Sequence, residues 1–371
     1  ITEAVDRRIR LGSHFAAPTE DTYIVAEYLA ARWGLPRWRF VNSGSEATMD
    51  AIRLARGVTG RDGVMKIFGS YHGHHDYVMV DIGLSVYDGK DRENYPSIAY
   101  GKGIPDSVTQ MTTAVPFNDA GVLERRLTSL QSEGKLPACL IMEAAMMNCG
   151  VILPEPGYLE GLRELATKYD VILIHDETHT LSEGVGGMTA RRHLHPDAVV
   201  LGKTIGAGIP AGAFGMSEEL TNRVSDSIHL EHIDVGGVGG TLAGNALSMA
   251  AVAATLTQVL TPEAFERMEA LCDVWTADVQ AIIDEYNVPW QVSQLGCRSE
   301  YSFRETAPRT GREAADADDF ELQQFLHLHA LNRGILMTPF HNMALMSPAH
   351  TTEDVKRHTE HFREAVVALF A

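Results

Sequence analysis

Lys203 and Asp176 are the two residues whose type and placement could do covalent chemistry. Lys203 stands just past the apolar run Ala198-Val199-Val200-Leu201 and before a glycine-rich turn that reaches Pro210. Asp176, followed by Glu177, closes a second run, Val171-Ile172-Leu173-Ile174-His175. A lysine at the tip of a buried strand is out of place unless it is paired, modified or catalytic. Its amine can form a Schiff base with an aldehyde and then move protons at a neighbouring carbon. A carboxylate against a pyridine nitrogen keeps that nitrogen protonated, so the ring can accept electrons. Ligands of open α/β sheets bind at the carboxyl ends of parallel strands, where both residues would lie. The pair is what a pyridoxal phosphate enzyme requires. A buried Asp–Lys ion pair fits the spacing no less well, so other features must decide.

Four further stretches carry candidates. In Asn42-Ser43-Gly44-Ser45-Glu46-Ala47-Thr48, small and hydroxyl residues open a helical pattern. Backbone N–H groups and the dipole at such a start favour an anion, so Ser43, Gly44 and Ser45 form a candidate phosphate cup. A capping box, with Ser43 capping and Glu46 three residues on, is the plain alternative. After the apolar run Val64 to Phe68 come Tyr71, which could stack on a flat ring, and His72. His72, His74 and Asp76 also spell H-x-H-x-D, a metallohydrolase pattern. Tyr77 stands where a dinuclear site would want another histidine, which weakens that reading. Glu143, Asn148, Thr178 and His179 lie after strand-like runs, at the crevice or as ordinary loop residues. Thr241 follows the glycine run Gly236 to Gly240, which is either a close-approach loop or a hinge.

The elements that must position these residues alternate strand and helix from residue 38 to about 215, which predicts βαβ units and a mostly parallel sheet. Short strands are expected at Trp38–Val41, Val64–Phe68 and Leu136–Met142. Helices are expected at Thr19–Trp33, Gly121–Gly134, Tyr158–Tyr169, Ala246–Leu260 and Pro262–Tyr286. Residues 80–117, rich in glycine and mixed polar residues, read as one long loop bordering the site. Strands near Pro289–Val292 and Glu300–Phe303 and the helices Asp319–Asn332 and Glu353–Phe370 form a smaller α+β unit. The expected division is an N-terminal segment, 1–18, a large unit, 19–260, and a small unit, 261–371.

With 371 residues there is material for a large core and two domains, and 45% hydrophobic with 22% charged residues is ordinary globular composition. A formal net charge of −18 argues against nucleic acid and anionic membranes as partners. Four cysteines without CxxC spacing suit a reducing cytoplasm better than a disulfide framework or zinc ribbon. The chain opens at Ile1, and an N-terminal piece is expected to be missing.

The order and wording of the motifs decide what spacing leaves open. Phe40-Val41-Asn42-Ser43-Gly44-Ser45-Glu46-Ala47-Thr48, Tyr71-His72-Gly73-His74, Asp176-Glu177, Leu201-Gly202-Lys203 and Gly240-Thr241-Leu242-Ala243-Gly244-Asn245 together resemble a class III, fold-type I pyridoxal phosphate enzyme. Within that class the chain is similar to glutamate-1-semialdehyde aminomutases and to β-amino-acid (β-phenylalanine-type) aminotransferases. The resemblance implies a seven-stranded large domain. It also implies Lys203 as the Schiff-base lysine, Asp176 on the pyridine nitrogen, Ser43, Gly44 and Ser45 on the phosphate, and Tyr71 on the ring. His72, Thr178 and His179 would lie around the cofactor, and Glu143 and Asn148 would form a polar pair near its ring. Thr241 would reach the cofactor of a neighbouring subunit in a homodimer. Thr178, His179, Ala144 and Ala246 depart from the family's usual residues. The family's carboxylate-binding arginine is expected in the missing N-terminal piece. Arg298-Ser299-Glu300-Tyr301-Ser302-Phe303, Arg309-Thr310-Gly311 and the stretch Leu336 to Ser347 look more like the β-amino-acid branch. So does the length of 83–105, where aminomutases have a shorter gating loop. The expectation is therefore a ping-pong aminotransferase acting on an amino acid and a keto acid such as 2-oxoglutarate, with an aminomutase as the alternative.

Overall fold

The computed structural model describes residues 1–81, 96–227 and 237–370. Its large sheet has seven strands: β1 (Arg37–Val41), β2 (Val64–Ile67), β3 (Thr112–Val115), β4 (Cys139–Met142), β5 (Ile172–Asp176), β6 (Ala198–Leu201) and β7 (Gly212–Met216). Their order is β1-β7-β6-β5-β4-β2-β3. All pairings are parallel except those of β7, which runs antiparallel to both β1 and β6. Six strands therefore present their carboxyl ends at one rim, where Ser43, Tyr71, Glu143, Asp176 and Lys203 follow. Strands β2, β4, β5 and β6 are buried along their whole length, as expected where helices cover both faces of a parallel sheet.

A second sheet of three antiparallel strands, in the order β10-β9-β8, consists of β8 (Gln291–Leu295), β9 (Arg298–Ser302) and β10 (Met343–Leu345). The helix Pro262–Glu285 packs on it and on the closing helix Thr352–Leu369. Thr261 caps the first of these helices by accepting from Ala264 N–H, with Pro262 at its first turn, where a missing N–H costs nothing. One buried apolar cluster runs from Val25 and Leu29 through Leu201 and Ile205 to Trp275, Tyr301 and Phe362, so the two sheets share a continuous core.

Two expectations need correction. The stretch 80–117 is not wholly loop: a helical turn (Asp106–Thr109) and β3 lie within it, and β3 forms an edge of the large sheet. Thr112-Thr113-Ala114-Val115 is too short and too polar to show a strand period by itself, and its pairing with β2 decides the outcome. Residues 82–95, most of the expected gating segment, lie outside the described residues, as does Gly236. The helix expected over Ala246–Leu260 is α-helical only to Ala254, and Thr255–Val259 widens into a π turn. There Arg32 donates to Leu256 O and Leu260 O at 2.5 and 2.7 Å, drawing those carbonyls out of the helical ladder. Among the described residues no helix is long and apolar enough to cross a membrane.

Candidate active site

The rim holds a crevice of about 410 Å³ lined by Ser43, Gly44, Ser45, Tyr71, His72, Glu143, Asp176, Thr178, His179 and Lys203, among others. Lys203 lies two residues beyond β6 in a single 3₁₀ turn, with a left-handed backbone (φ 47°). That conformation is costly for a lysine and is found where surrounding structure holds a functional side chain in place. Partial withdrawal from water lowers the Lys203 ammonium below its ordinary value, while Asp176 and Glu143 act in the opposite direction. A lowered amine pKa leaves more of the nucleophilic neutral form.

Asp176 ends β5, 4% exposed. Its Oδ2 lies 2.9 Å from His72 Nδ1 and its Oδ1 accepts Thr178 N–H at 3.0 Å. Burial alone would raise the carboxyl, but the His72 and Thr178 bonds outweigh it and hold it below the ordinary carboxylate value. Asp176 is thus kept ionised, and since a carboxylate only accepts, His72 Nδ1 carries the hydrogen. Burial pushes the Glu143 carboxyl the other way, up to about 8, with the Asp176 charge adding to the effect. Glu143 therefore holds its proton to a higher pH than an ordinary carboxyl. Its Oε2 accepts Met147 N–H at 2.5 Å, and its Oε1 lies 3.8 Å from His179 Nδ1. Burial keeps His179 well below its ordinary value and so neutral.

The opposite wall is the start of the helix Gly44–Thr59. Ser43 caps it by accepting Glu46 N–H at 3.1 Å, while Glu46 accepts Asn42 N–H at 2.7 Å. Capping and anion binding are compatible, because the first N–H groups of the helix still lack intrahelical acceptors. The Tyr71 loop is tied to this start: Ser45 Oγ accepts His74 N–H at 3.2 Å and Thr48 Oγ1 donates to His72 O at 2.7 Å. From below, the buried ammonium of Lys66 donates to Ser70 O, Val78 O and Val80 O at 2.7, 3.1 and 2.8 Å. A β-carbon on Gly202 would come within 2.8 Å of Gly44 Cα, so the Lys203 turn and the helix start meet backbone to backbone.

Residues 1–366 match the family model described as aminotransferase class-III. The chain belongs to the class III aminotransferase family. It is 34% identical over 361 residues to a glutamate-1-semialdehyde 2,1-aminomutase of Anaeromyxobacter dehalogenans, covering 96% of this chain and 80% of that one. Among solved structures, a glutamate-1-semialdehyde aminomutase from Pseudomonas aeruginosa PAO1 in complex with PMP superposes with a TM-score of 0.91 at 38% identity, covering 99% of this chain and 80% of that one. A β-phenylalanine aminotransferase from Variovorax paradoxus gives 0.81 at 26% identity, covering 99% and 78%. The fold is that of the fold-type I pyridoxal phosphate transferases, and pyridoxal phosphate is the cofactor of this class III enzyme.

The crevice of this class III chain fits that cofactor on its own evidence. It offers an anion cup, an ionised buried carboxylate and a lysine with lowered pKa. In His179 Nδ1 it also offers a buried ring nitrogen without a hydrogen-bond partner. Ten of the twelve residues expected at the site are brought together there. Asn148 is not: its Nδ2 donates to Gly69 O at 3.1 Å, and it lines a neighbouring cavity of about 660 Å³ with Glu300 and His341. Thr241 stands exposed at another depression, lined by His14, Phe40 and Asn245 among others. The metallohydrolase pattern does not converge, since His72 is buried on Asp176 while His74 and Asp76 are exposed. Among the described residues no group of three or more His, Cys, Asp or Glu is gathered as metal ligands would be. Sequence reasoning missed Asn42 and the Gly208-Ile209-Pro210-Ala211 lining. Only the glycine-rich turn after Lys203 signalled the latter.

Proposed function

We propose that this enzyme moves an amino group within one small amino-carbonyl substrate, an aminomutase-type isomerisation. The observation that carries the amino-transfer chemistry is the meeting of Lys203 with the His72–Asp176 pair in one crevice. The choice of aminomutase over β-amino-acid aminotransferase rests on likeness: 34% identity and a TM-score of 0.91 to aminomutases, against 26% and 0.81 to the β-phenylalanine enzyme. This reverses the preference drawn from the late segments Arg298–Phe303 and Leu336–Ser347.

When bound, pyridoxal phosphate supplies a carbonyl that joins to amines and a ring that draws electrons from the adjacent carbon. Asp176, kept ionised by His72 and Thr178, would hold the ring nitrogen, and Ser43, Gly44 and Ser45 the phosphate. Tyr71 would cover a ring face, with Glu143, Thr178 and His179 around its edge. Lys203 would be the point of covalent attachment. Its amine, when free, would be the base placed to take a proton from one carbon and return it at another. We further infer a homodimer in which the exposed Thr241 serves a neighbouring subunit, and a cytoplasmic setting that suits four free cysteines.

The test is to supply the holoenzyme with glutamate-1-semialdehyde and no keto acid. Sustained formation of the isomeric 5-amino-4-oxopentanoate supports the proposal. Turnover that stops after one equivalent and resumes only with 2-oxoglutarate would return the reading to the aminotransferase. Lys203→Ala should remain folded and lose turnover by at least ~10³-fold; near-normal turnover in it would remove Lys203 from the mechanism.

A further inference from the structure

Two arginines are buried among the described residues, Arg8 and Arg298, and they differ in one respect. Arg8 is ion-paired with Asp21. The side chain of Arg298, 7% exposed, makes no ion pair and no hydrogen bond among the described residues, and its Nε is enclosed without an acceptor. A guanidinium cannot shed its proton to escape burial, and an unpaired buried charge costs several kcal/mol, roughly, relative to a paired one. Such a group is retained where a ligand completes it.

The surroundings of Arg298 indicate which ligand. Arg298 opens β9, opposite Leu345 of β10 and Leu295 of β8; the preceding Cys297 N–H donates to Ser182 O at 2.9 Å, and Ser182 Oγ donates to O of His179, a crevice residue, at 3.0 Å. Two residues along the strand is Glu300, 8% exposed, which lines the neighbouring cavity. Glu300 is held away from a contact ion pair: its Oε1 lies 3.2 Å from His341 Nδ1 and accepts Asn342 N–H at 3.2 Å, while its Oε2 has no partner. The anion cup of the helix start is built from Ser43, Gly44 and Ser45 of the large sheet's rim, whereas Arg298 belongs to the small sheet, so the guanidinium would be a second and separate anion receptor. Its planar fork matches a carboxylate through two parallel hydrogen bonds.

We propose that Arg298 is the substrate-carboxylate receptor of this enzyme, which makes its substrate an amino acid or amino-carbonyl acid rather than a simple amine. The inference rests on the proposed amino-transfer reading of the Lys203 crevice. It places the receptor in the small sheet, whereas the family resemblance led to the expectation of an arginine in an N-terminal segment. The test uses glutarate, a dicarboxylate with no amine to react, titrated into the holoenzyme by calorimetry. The wild type should bind glutarate, R298M should bind it at least ~10-fold more weakly, and R298K should fall between them. The same variants report on a structural role: R298M should unfold at the same or a higher temperature than wild type without cofactor, because an unpaired buried charge has been removed. Equal glutarate affinity in wild type and R298M, no glutarate binding in wild type, or a lowered unfolding temperature with binding intact would each overturn the proposal. Uptake of pyridoxal phosphate, read by visible absorbance, is the separate check. A chain that takes up none defeats the amino-transfer reading itself, whereas normal uptake with unchanged glutarate binding in R298M defeats only the receptor.

Discussion

His72 Nδ1 lies 2.9 Å from Asp176 Oδ2, joining two buried residues 104 positions apart in the chain. The contact lowers the Asp176 carboxyl and so favours its charged form. It also links the loop that carries Tyr71 to the end of β5, so on the proposed reading one bond would govern both ring stacking and ring-nitrogen binding.

Replacing either partner should therefore have distinct signatures. Asp176→Asn should retain cofactor but slow turnover by about 10²–10³-fold at every pH, since the amide cannot balance a protonated ring nitrogen. His72→Leu removes the principal contact that lowers the Asp176 pKa, so that pKa rises. The acidic limb of its rate profile should move to higher pH, with the plateau less affected. Superimposable pH profiles for wild type and H72L would show that the bond does not govern the carboxylate.

Gly73 should tolerate no side chain. Its φ is 103°, and a β-carbon would sit 2.5 Å from Ser45 Oγ and 2.7 Å from Ser45 Cα, inside the helix start. Gly73→Ala should lower stability by about 1–3 kcal/mol and weaken cofactor binding, measured by denaturant titration and by pyridoxal phosphate titration. Gly208 has a similar φ of 97° but nothing within 4 Å of its added carbon. Gly208→Ala should therefore cost backbone strain alone. Equal losses of cofactor affinity in both variants would mean that the Ser45 contact is not what matters.

Acid should loosen the packing of the helices Pro262–Glu285 and Thr352–Leu369 through His358. Trp275 Nε1–H donates to His358 Nδ1 at 2.9 Å, which requires that nitrogen to be unprotonated. Burial lowers His358 from 6.5 to about 4. Between those values the unfolded chain binds a proton that the folded chain refuses, so stability falls as pH drops through the window, by at most about 1.4 kcal/mol per pH unit for this one group. Buried His175, lowered to about 3, acts in the same direction. Urea midpoints at pH 7.5 and 5 should differ more for the wild type than for His358→Phe. An unchanged difference would place the acid sensitivity elsewhere.

Lys203 and Asp176 were legible because a charged residue at the tip of an apolar run is conspicuous in any sequence. The helix start at Ser43 was legible for the same local reason. The His72–Asp176 bond was not, since nothing local to either residue reports the other. Asn148 was expected at the crevice through motif likeness, and the folded chain places it at a neighbouring cavity; Thr241, expected to serve a neighbouring subunit, stands exposed outside the crevice. Strand β3 escaped notice because four residues, two of them threonine, acquire their identity only by pairing with β2. Arg298 was visible as a letter in a motif, but its significance lies in burial without a partner, and that is a property of packing alone.

The reversed strand β7 sets the distance between two walls of the crevice. Two reversals cancel, so β1 and β6 point the same way although β7 lies between them. The helix start that follows β1 and the lysine that follows β6 thus share a rim at a separation of two strand spacings, roughly 9.5 Å. Strand β7 works as a built-in ruler. It gains close fit from Gly212, where a β-carbon would fall 2.3 Å from Ser43 O. A side chain at Gly212 would press directly on Ser43 and so shift the helix start relative to the Lys203 turn.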